Sequence, residues 1–305
     1  MVLSRISRSK RLKIIAATVI ILFSCAFARH RYLLNQITIT GRLGDKSMGE
    51  ISGIAASGLQ NNVFYVHNDS GDTSRFFAIN PSGKLLNTIY YRGDSTLARG
   101  IDDCEDIAVG PGPIKGSSYI YIADIGDNAS VRKNVVIYRI AENIKMINGT
   151  VKNVKADPLY LTYPDGAKDA ETLMIDSQDK LIYVVTKRGD IIYVYTTPLN
   201  FRAKDTVTLT QRCTLKFQGF KLLKWITAGD ISKDGNNILL KSYQTVYYWK
   251  REKGEAVWQA MMRKPIQPNY EAEKFGEAIG FTADGKGYYT TSEGVFANIY
   301  YYKTP

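Results

Sequence analysis

Glu105-Asp-Ile-Ala-Val-Gly-Pro-Gly-Pro113, answered by Tyr119-Ile-Tyr-Ile-Ala-Asp-Ile-Gly-Asp-Asn128, is the stretch that decides the fold. An acid opens a short apolar run, Gly and Pro turn the chain, an alternating run follows, and a Gly-Asp hairpin turns it again. Period-two alternation reads as a strand, and Gly, Asp and Asn supply the backbone angles of tight turns. The phrase recurs along the chain. Its openings are Glu50-Ile-Ser-Gly-Ile, Glu105-Asp-Ile-Ala-Val, Glu171-Thr-Leu-Met-Ile, Gly229-Asp-Ile-Ser and Glu277-Ala-Ile-Gly-Phe. Its second strands begin at Val63, Tyr119, Leu181, Ile238 and Gly287. Strand-built repeats of roughly 50 residues indicate a radial array or a stack.

The closed form fits better. The last unit ends after three strands at Asn298–Tyr302, while Gln36–Leu43 alternates and stands spare at the other end. An N-terminal strand that completes the last blade leaves only short, protected edges. The sequence thus predicts an all-β protein, a β-propeller of five blades, in one domain over residues 36–305. The long second unit leaves room for a sixth blade. Outer strands are expected near Leu85–Tyr91, Pro158–Tyr163, Thr206–Phe217 and Val257–Met262. The Tyr-rich third strands, Tyr247-Tyr-Trp249 and Tyr300-Tyr-Tyr302, are expected to pack blade against blade.

Composition narrows the function classes. Of 305 residues, 45% are hydrophobic and 23% charged, which is ordinary for a folded domain. Nearly half of the net charge of +11 comes from Arg5, Arg8, Lys10, Arg11 and Lys13, with no acid before Arg29. The remainder shows no basic stripe interleaved with aromatics, which argues against nucleic acid as a partner. Residues 1–28 pair that basic stretch with an apolar run from Ile14 that ends Ala26-Phe-Ala28. This reads as a signal peptide, or, uncleaved, as a signal anchor and the one membrane contact. Either places the body outside the cytoplasm, secreted, periplasmic or extracellular. The chain holds only His30 and His67 and no C-x-x-C, so histidine-based metal sites and His-dependent triads are nearly excluded. Cys104, in an inner strand, and Cys213, in an outer one, are not placed to form a disulfide.

In a propeller the inner strand starts on the face to which the second hairpin returns. The repeated acids Glu50, Glu105, Glu171 and Glu277 therefore share a face with Asn68, Asp69, Asp72, Asp124, Asp127 and Asn128. Converging carboxylates raise one another's pKa unless cations intervene. A hard cation such as Ca²⁺ suits such a set, because it takes six to eight oxygen ligands. Glu50, Glu105, Glu171 and Glu277 are the candidate metal ligands. Asn68, Asp69, Asp72, Asp127, Asn128 and Lys241 are the candidate ligand-binding residues. Lys187 and Arg188 either offset the acids or hold an anionic substrate group. Each feature also has a plainer reading. Acids that open blades hydrogen-bond neighbouring backbone, Gly-Asp hairpins are turn chemistry, and His67 is a satisfied strand-end histidine.

The segments Asn68-Asp-Ser-Gly-Asp, Glu105-Asp-Ile-Ala-Val-Gly, Ala123-Asp-Ile-Gly-Asp-Asn and Tyr163-Pro-Asp-Gly-Ala-Lys-Asp-Ala-Glu171 resemble a family of secreted, functionally uncharacterised bacterial β-propeller-like proteins. The resemblance implies the propeller and export, and no activity. Two uses of the acidic face follow. One is binding of a divalent cation, a small molecule, a glycan or a protein. The other is a metal-dependent hydrolase of phosphoesters or lactones, with Glu105 or Asp124 as base and Lys187 and Arg188 holding the anion. A propeller that is purely structural or adhesive is the third alternative.

Overall fold

A computed structural model describes residues 18–19, 37–149 and 151–305. The signal or anchor expected over residues 1–28 lies outside the described residues apart from 18 and 19. Among the described residues no helix is long and apolar enough to cross a membrane.

The strands form five antiparallel blades around a central channel. The first, β1 (Ile37–Arg42), belongs to the last blade. Blade one holds β2 (Ile51–Ala56), β3 (Phe64–Asn68), β4 (Arg75–Ile79) and β5 (Leu85–Tyr90). Blade two holds β6 (Cys104–Pro111), β7 (Ser118–Asp124), β8 (Val135–Ala141) and β9 (Asp157–Thr162). Blade three holds β10 (Ala170–Asp176), β11 (Leu181–Thr186), β12 (Ile192–Pro198) and, after the short β13 (Thr206–Thr208), β14 (Thr210–Leu215). Blade four holds β15 (Ile226–Ile231), β16 (Asn237–Ser242) and β17 (Val246–Lys250). Blade five holds β18 (Ala278–Phe281), β19 (Gly287–Thr291), β20 (Asn298–Lys303) and β1, which runs antiparallel to β20 with Ile37 opposite Tyr302. The N-terminal strand thus closes the ring.

Two expected outer strands differ. The stretch Thr206–Phe217 is split: β13 pairs parallel with β9 and widens blade two, and only β14 belongs to blade three. Val257–Met262 is not a strand. After the four-residue α1 (Lys145–Asn148), residues Val257–Met261 form the short helix α2. Its buried residues Val257, Ala260 and Met261 have the i, i+3, i+4 spacing of a helix face. Gln259 Oε1 accepts the free Ala256 N–H, 2.8 Å. The fourth-strand place of blade four is taken by Ile266, which exchanges backbone hydrogen bonds of 2.8 and 2.9 Å with Tyr248.

The hydrophobic core is not central. It is divided into five wedges, one between each pair of neighbouring blades. Inner strands are covered on both faces and read as nearly continuous apolar runs, as in β10, buried throughout. Outer strands alternate, as in β9. The tyrosine-rich strands fill the wedges as expected. Tyr288 stacks on Tyr302 at 5.0 Å, and Phe64 meets Tyr289 edge-on at 4.7 Å across blades one and five. Carboxylates tie inner strands together at the channel. Asp106 accepts N–H groups from Ile107 and from Leu173 of the next blade, both at 2.8 Å, and Asp230 does the same with Ile231 and Phe281. Cys104 and Cys213 are buried and free.

Candidate metal centre

Strand register sets the site. Each inner strand of blades one to four carries a β-bulge just after it starts, between Ile51 and Gly53, Cys104 and Asp106, Ala170 and Thr172, and Ile226 and Ala228. A bulge leaves one residue unpaired and re-aims its side chain. The bulged residues are Ser52, Glu105, Glu171 and Thr227, and Glu277 holds the matching place before Ala278, the partner of Thr291. All are buried. The ring at the channel mouth is therefore Ser52, Glu105, Glu171, Thr227 and Glu277. The sequence phrase aligned Glu50 and Gly229 with these glutamates, and the register moves the equivalent positions to Ser52 and Thr227. There Ser52 Oγ donates to Glu105 O at 2.6 Å and Thr227 Oγ1 to Gly276 O at 3.2 Å.

Two further positions build on this ring. Two residues before each bulge stand Glu50, Asp103, Asp169, Trp225 and Phe275. One residue beyond each second strand stand Asp69, Ile125, Lys187 and Tyr243, and Glu293 holds that place in blade five. Ile125 turns into the wedge between blades two and three. The others bring charge and hydroxyls over the channel. Three overlapping carboxylate groups result: Asp69 with Asp103 and Glu105, Asp69 with Glu277 and Glu293, and Glu105 with Asp169 and Glu171. Within each, one oxygen per residue lies within 4.8 Å of the others. That spread suits ligands sharing one hard cation with bonds of about 2.4 Å.

The protein supplies part of the compensation. Lys187 Nζ lies 2.6 Å from Glu171 and 3.5 Å from Glu277, and Tyr243 donates its hydroxyl to Glu277. Burial works against the Lys187 charge, but the two glutamates outweigh it and raise its pKa. Arg188 Nε is 3.1 Å from Asp169, and its guanidinium lies over the Trp225 ring. Asp69, Asp103, Glu105 and Glu293 have no Lys or Arg partner among the described residues. Burial, then Glu171 and Asp69, push Glu105 well above the usual carboxylate range. Burial and Glu277 raise Glu171 against the pull of Lys187. Burial lifts Asp69 to about 6, helped by Asp103 and Glu277. Burial and Asp169 raise Asp103, and burial and Glu277 raise Glu293. Glu171 Oε2 is buried without a hydrogen-bond donor.

Several sequence candidates serve the scaffold instead. Asp124 is buried, receives the Asp102 and Asp103 N–H groups at 3.0 and 3.1 Å, and pairs with Arg132 at 2.9 Å. It shapes the loop that presents Asp103 and is closed to a role as base. Asp127 accepts the Val131 and Arg132 N–H groups within its hairpin. Asn68 accepts the Glu50 N–H and donates to Ser47 O and Asp72, which pairs with Arg75 at 2.9 Å. Asn128 links Asp103 to Arg188. Lys241 is fully buried and binds Gly276 O beside Glu273, so it does not face a ligand at the rim. Glu50 is exposed and belongs to none of the three groups, although its charge reaches Glu293. Glu105, Glu171, Glu277 and Asp69 do converge. Asp103, Asp169 and Glu293 join them, and their shared offset from the bulge or strand end is the signal that would have found them.

Fold and site together define a five-bladed β-propeller with an acidic centre on its axis. Neither a protein-family model nor a curated protein matches the chain.

Proposed function

We infer that the chain is an exported propeller whose axial centre binds a divalent cation, with Ca²⁺ the best fit. The observation that carries this reading is the convergence of Asp69, Asp103, Glu105 and Glu293 without a basic partner among the described residues. Buried like charges must be protonated or compensated. An all-oxygen, carboxylate-rich donor set favours a hard cation over zinc or copper. Asp69 bridges two of the groups, so a cation beside it would draw on Asp103 and Glu105 on one side and on Glu277 and Glu293 on the other. Lys187 and Arg188 would hold Glu171, Glu277 and Asp169 in place.

Binding is better supported than hydrolysis. The hydrolase reading needs Lys187 and Arg188 free for an anionic substrate, and both are committed to carboxylates. Of its proposed bases only Glu105 remains on the axis. Export rests on the sequence of residues 1–28.

Thermal unfolding of the chelated protein, with Ca²⁺, Mg²⁺, Mn²⁺ or Zn²⁺ added back, tests the reading. At 100 times its dissociation constant a cation should add about 2.7 kcal/mol, a rise in midpoint of about 5 °C for a chain of this size. Ca²⁺ should give the largest rise, and Asp69→Asn should remove most of it. No rise with any of the four ions would sink the proposal.

A further inference from the structure

The channel has a second mouth of different chemistry. Inner strands that start at the acidic ring end at the opposite face, where Ala55, Val109, Ile175, Ile231 and Phe281, one from each blade, line a cavity of about 300 Å³. That is the lower end of the range of small-molecule pockets, about 300–1,000 Å³. These five side chains form an apolar floor, while Ser57, Ser117, Ser118, Ser177 and Thr282 add polar groups to the walls, and an apolar group that displaces loosely held water from the floor gains affinity.

Two cations at this mouth lack ion pairs among the described residues. Lys180 and Lys233 line it from the first hairpins of blades three and four. The Lys180 ammonium donates to a backbone carbonyl, Ser177 O, and has no carboxylate partner among the described residues. The Lys233 ammonium has neither hydrogen bond nor ion pair among the described residues. Nearby acids are already engaged: Asp179 with Arg251 at 2.5 Å, Asp284 with Lys286 at 3.5 Å, Glu142 with the Ser57 and Tyr65 hydroxyls and the Gly58 N–H, and Asp234 with Ser232 and Asn236. The one carboxylate in the lining, Asp230, turns both oxygens to backbone N–H groups. Two ammonium groups at the lip of an apolar cup match an anionic head on an apolar body.

We propose that this basal mouth is a binding site for a small organic anion with an apolar body, a short-chain or aromatic carboxylate. It is separate from the acidic centre and does not depend on a cation there. Methyl NMR titration of the full chain with benzoate, benzyl alcohol and benzylamine tests it. Benzoate should give saturable shifts at Ala55, Ile175 and Ile231. The neutral alcohol should bind at least tenfold more weakly, and the amine more weakly still. Lys180→Asn with Lys233→Gln should weaken benzoate at least tenfold and leave the alcohol unchanged. Asn suits position 180 because Lys180 has φ 56°. Should the double variant not fold, Lys233→Gln alone, at an exposed side chain, carries the same comparison with a smaller loss. The proposal is overturned by absence of saturable benzoate shifts, by shifts confined to the acidic face, by equal or tighter binding of the alcohol or amine, or by unchanged benzoate affinity in the variants.

Discussion

Gly126 shows how closely the acidic centre depends on single side chains. It sits in the Asp-Ile-Gly-Asp-Asn hairpin, and a Cβ there would come within 2.1 Å of Glu105 Oε1 and 2.5 Å of Asp103 Oδ2. The glycine is needed because two carboxylates occupy the space a side chain would fill. Gly126→Ala should cost about 1–3 kcal/mol through overpacking. It should also remove most of the calcium-dependent rise in unfolding midpoint, because the methyl displaces two proposed ligands. A variant that is destabilised yet keeps the full calcium response would show that Glu105 and Asp103 are not ligands. Turn chemistry accounts for Asp127, whose oxygens take the Val131 and Arg132 N–H groups of the same hairpin, whereas Asp124 reaches out of it to the N–H groups of Asp102 and Asp103. What the sequence did not reveal is that the small residue between them is shaped by the axis. Glu50 and Gly229 make the same point. Their local phrases match the other repeats, but the bulge inserts an unpaired residue that only strand pairing discloses.

At the scale of elements, most strands were legible because their inner and second strands are short, apolar and bounded by Gly, Pro and Asp. The closing strand was legible too, from the mismatch between a spare first strand and a three-stranded last unit. Val257–Met261 was not, since five residues of apolar character fit either period, and the helix is decided by which side chains find the wedge beside β14 and β17. The split of Thr206–Leu215 depends on β9 offering a free edge, a tertiary fact. The inner strands are joined by more than packing. Asp106 spans β6 and β10 through two N–H groups, and its burial holds its pKa well above the usual range. Asp106→Ala would leave the Ile107 and Leu173 N–H groups buried without acceptors, at about 1–3 kcal/mol each. The expected result is a loss of several kcal/mol in denaturant unfolding, with the amides of β6 and β10 losing hydrogen-exchange protection. Loss under 1 kcal/mol would mean that the hydrogen bonds are replaced or were never important to the interface.

For the whole molecule, the acidic centre should govern how stability responds to pH. Free carboxylates titrate near 4. In the fold, burial and mutual repulsion raise Glu105, Glu171 and Glu293, and burial raises Asp106. Between the unfolded and folded values the folded chain holds protons that the unfolded chain has released, so stability falls as pH rises through that interval. His67 works in the opposite sense, because burial lowers it to about 4 against an unfolded value of about 6.5. Its unfolded form is half charged at about pH 6.5 and mostly neutral one unit higher, so between those values it opposes the carboxylate trend by a fraction of a kcal/mol. Lys241, lowered to about 8 mainly by burial, is charged in both states until pH nears that value. Over the interval from about pH 6.5 to 7.5 the several raised carboxylates outweigh the single histidine. Over it the chelated protein should lose stability as pH rises. With saturating Ca²⁺ the ionised axial carboxylates gain a partner, their folded pKa values drop, and their share of the loss should vanish, leaving that of Asp106 and Asp230, which burial raises. The calcium-induced rise in midpoint should thus be larger at pH 7.5 than at pH 6.5. Paired thermal scans at the two pH values, with and without calcium, measure it directly. A chelated midpoint that does not fall over this interval would mean that the raised carboxylates are compensated within the protein. An equal calcium effect at both pH values would mean that the cation binds away from them.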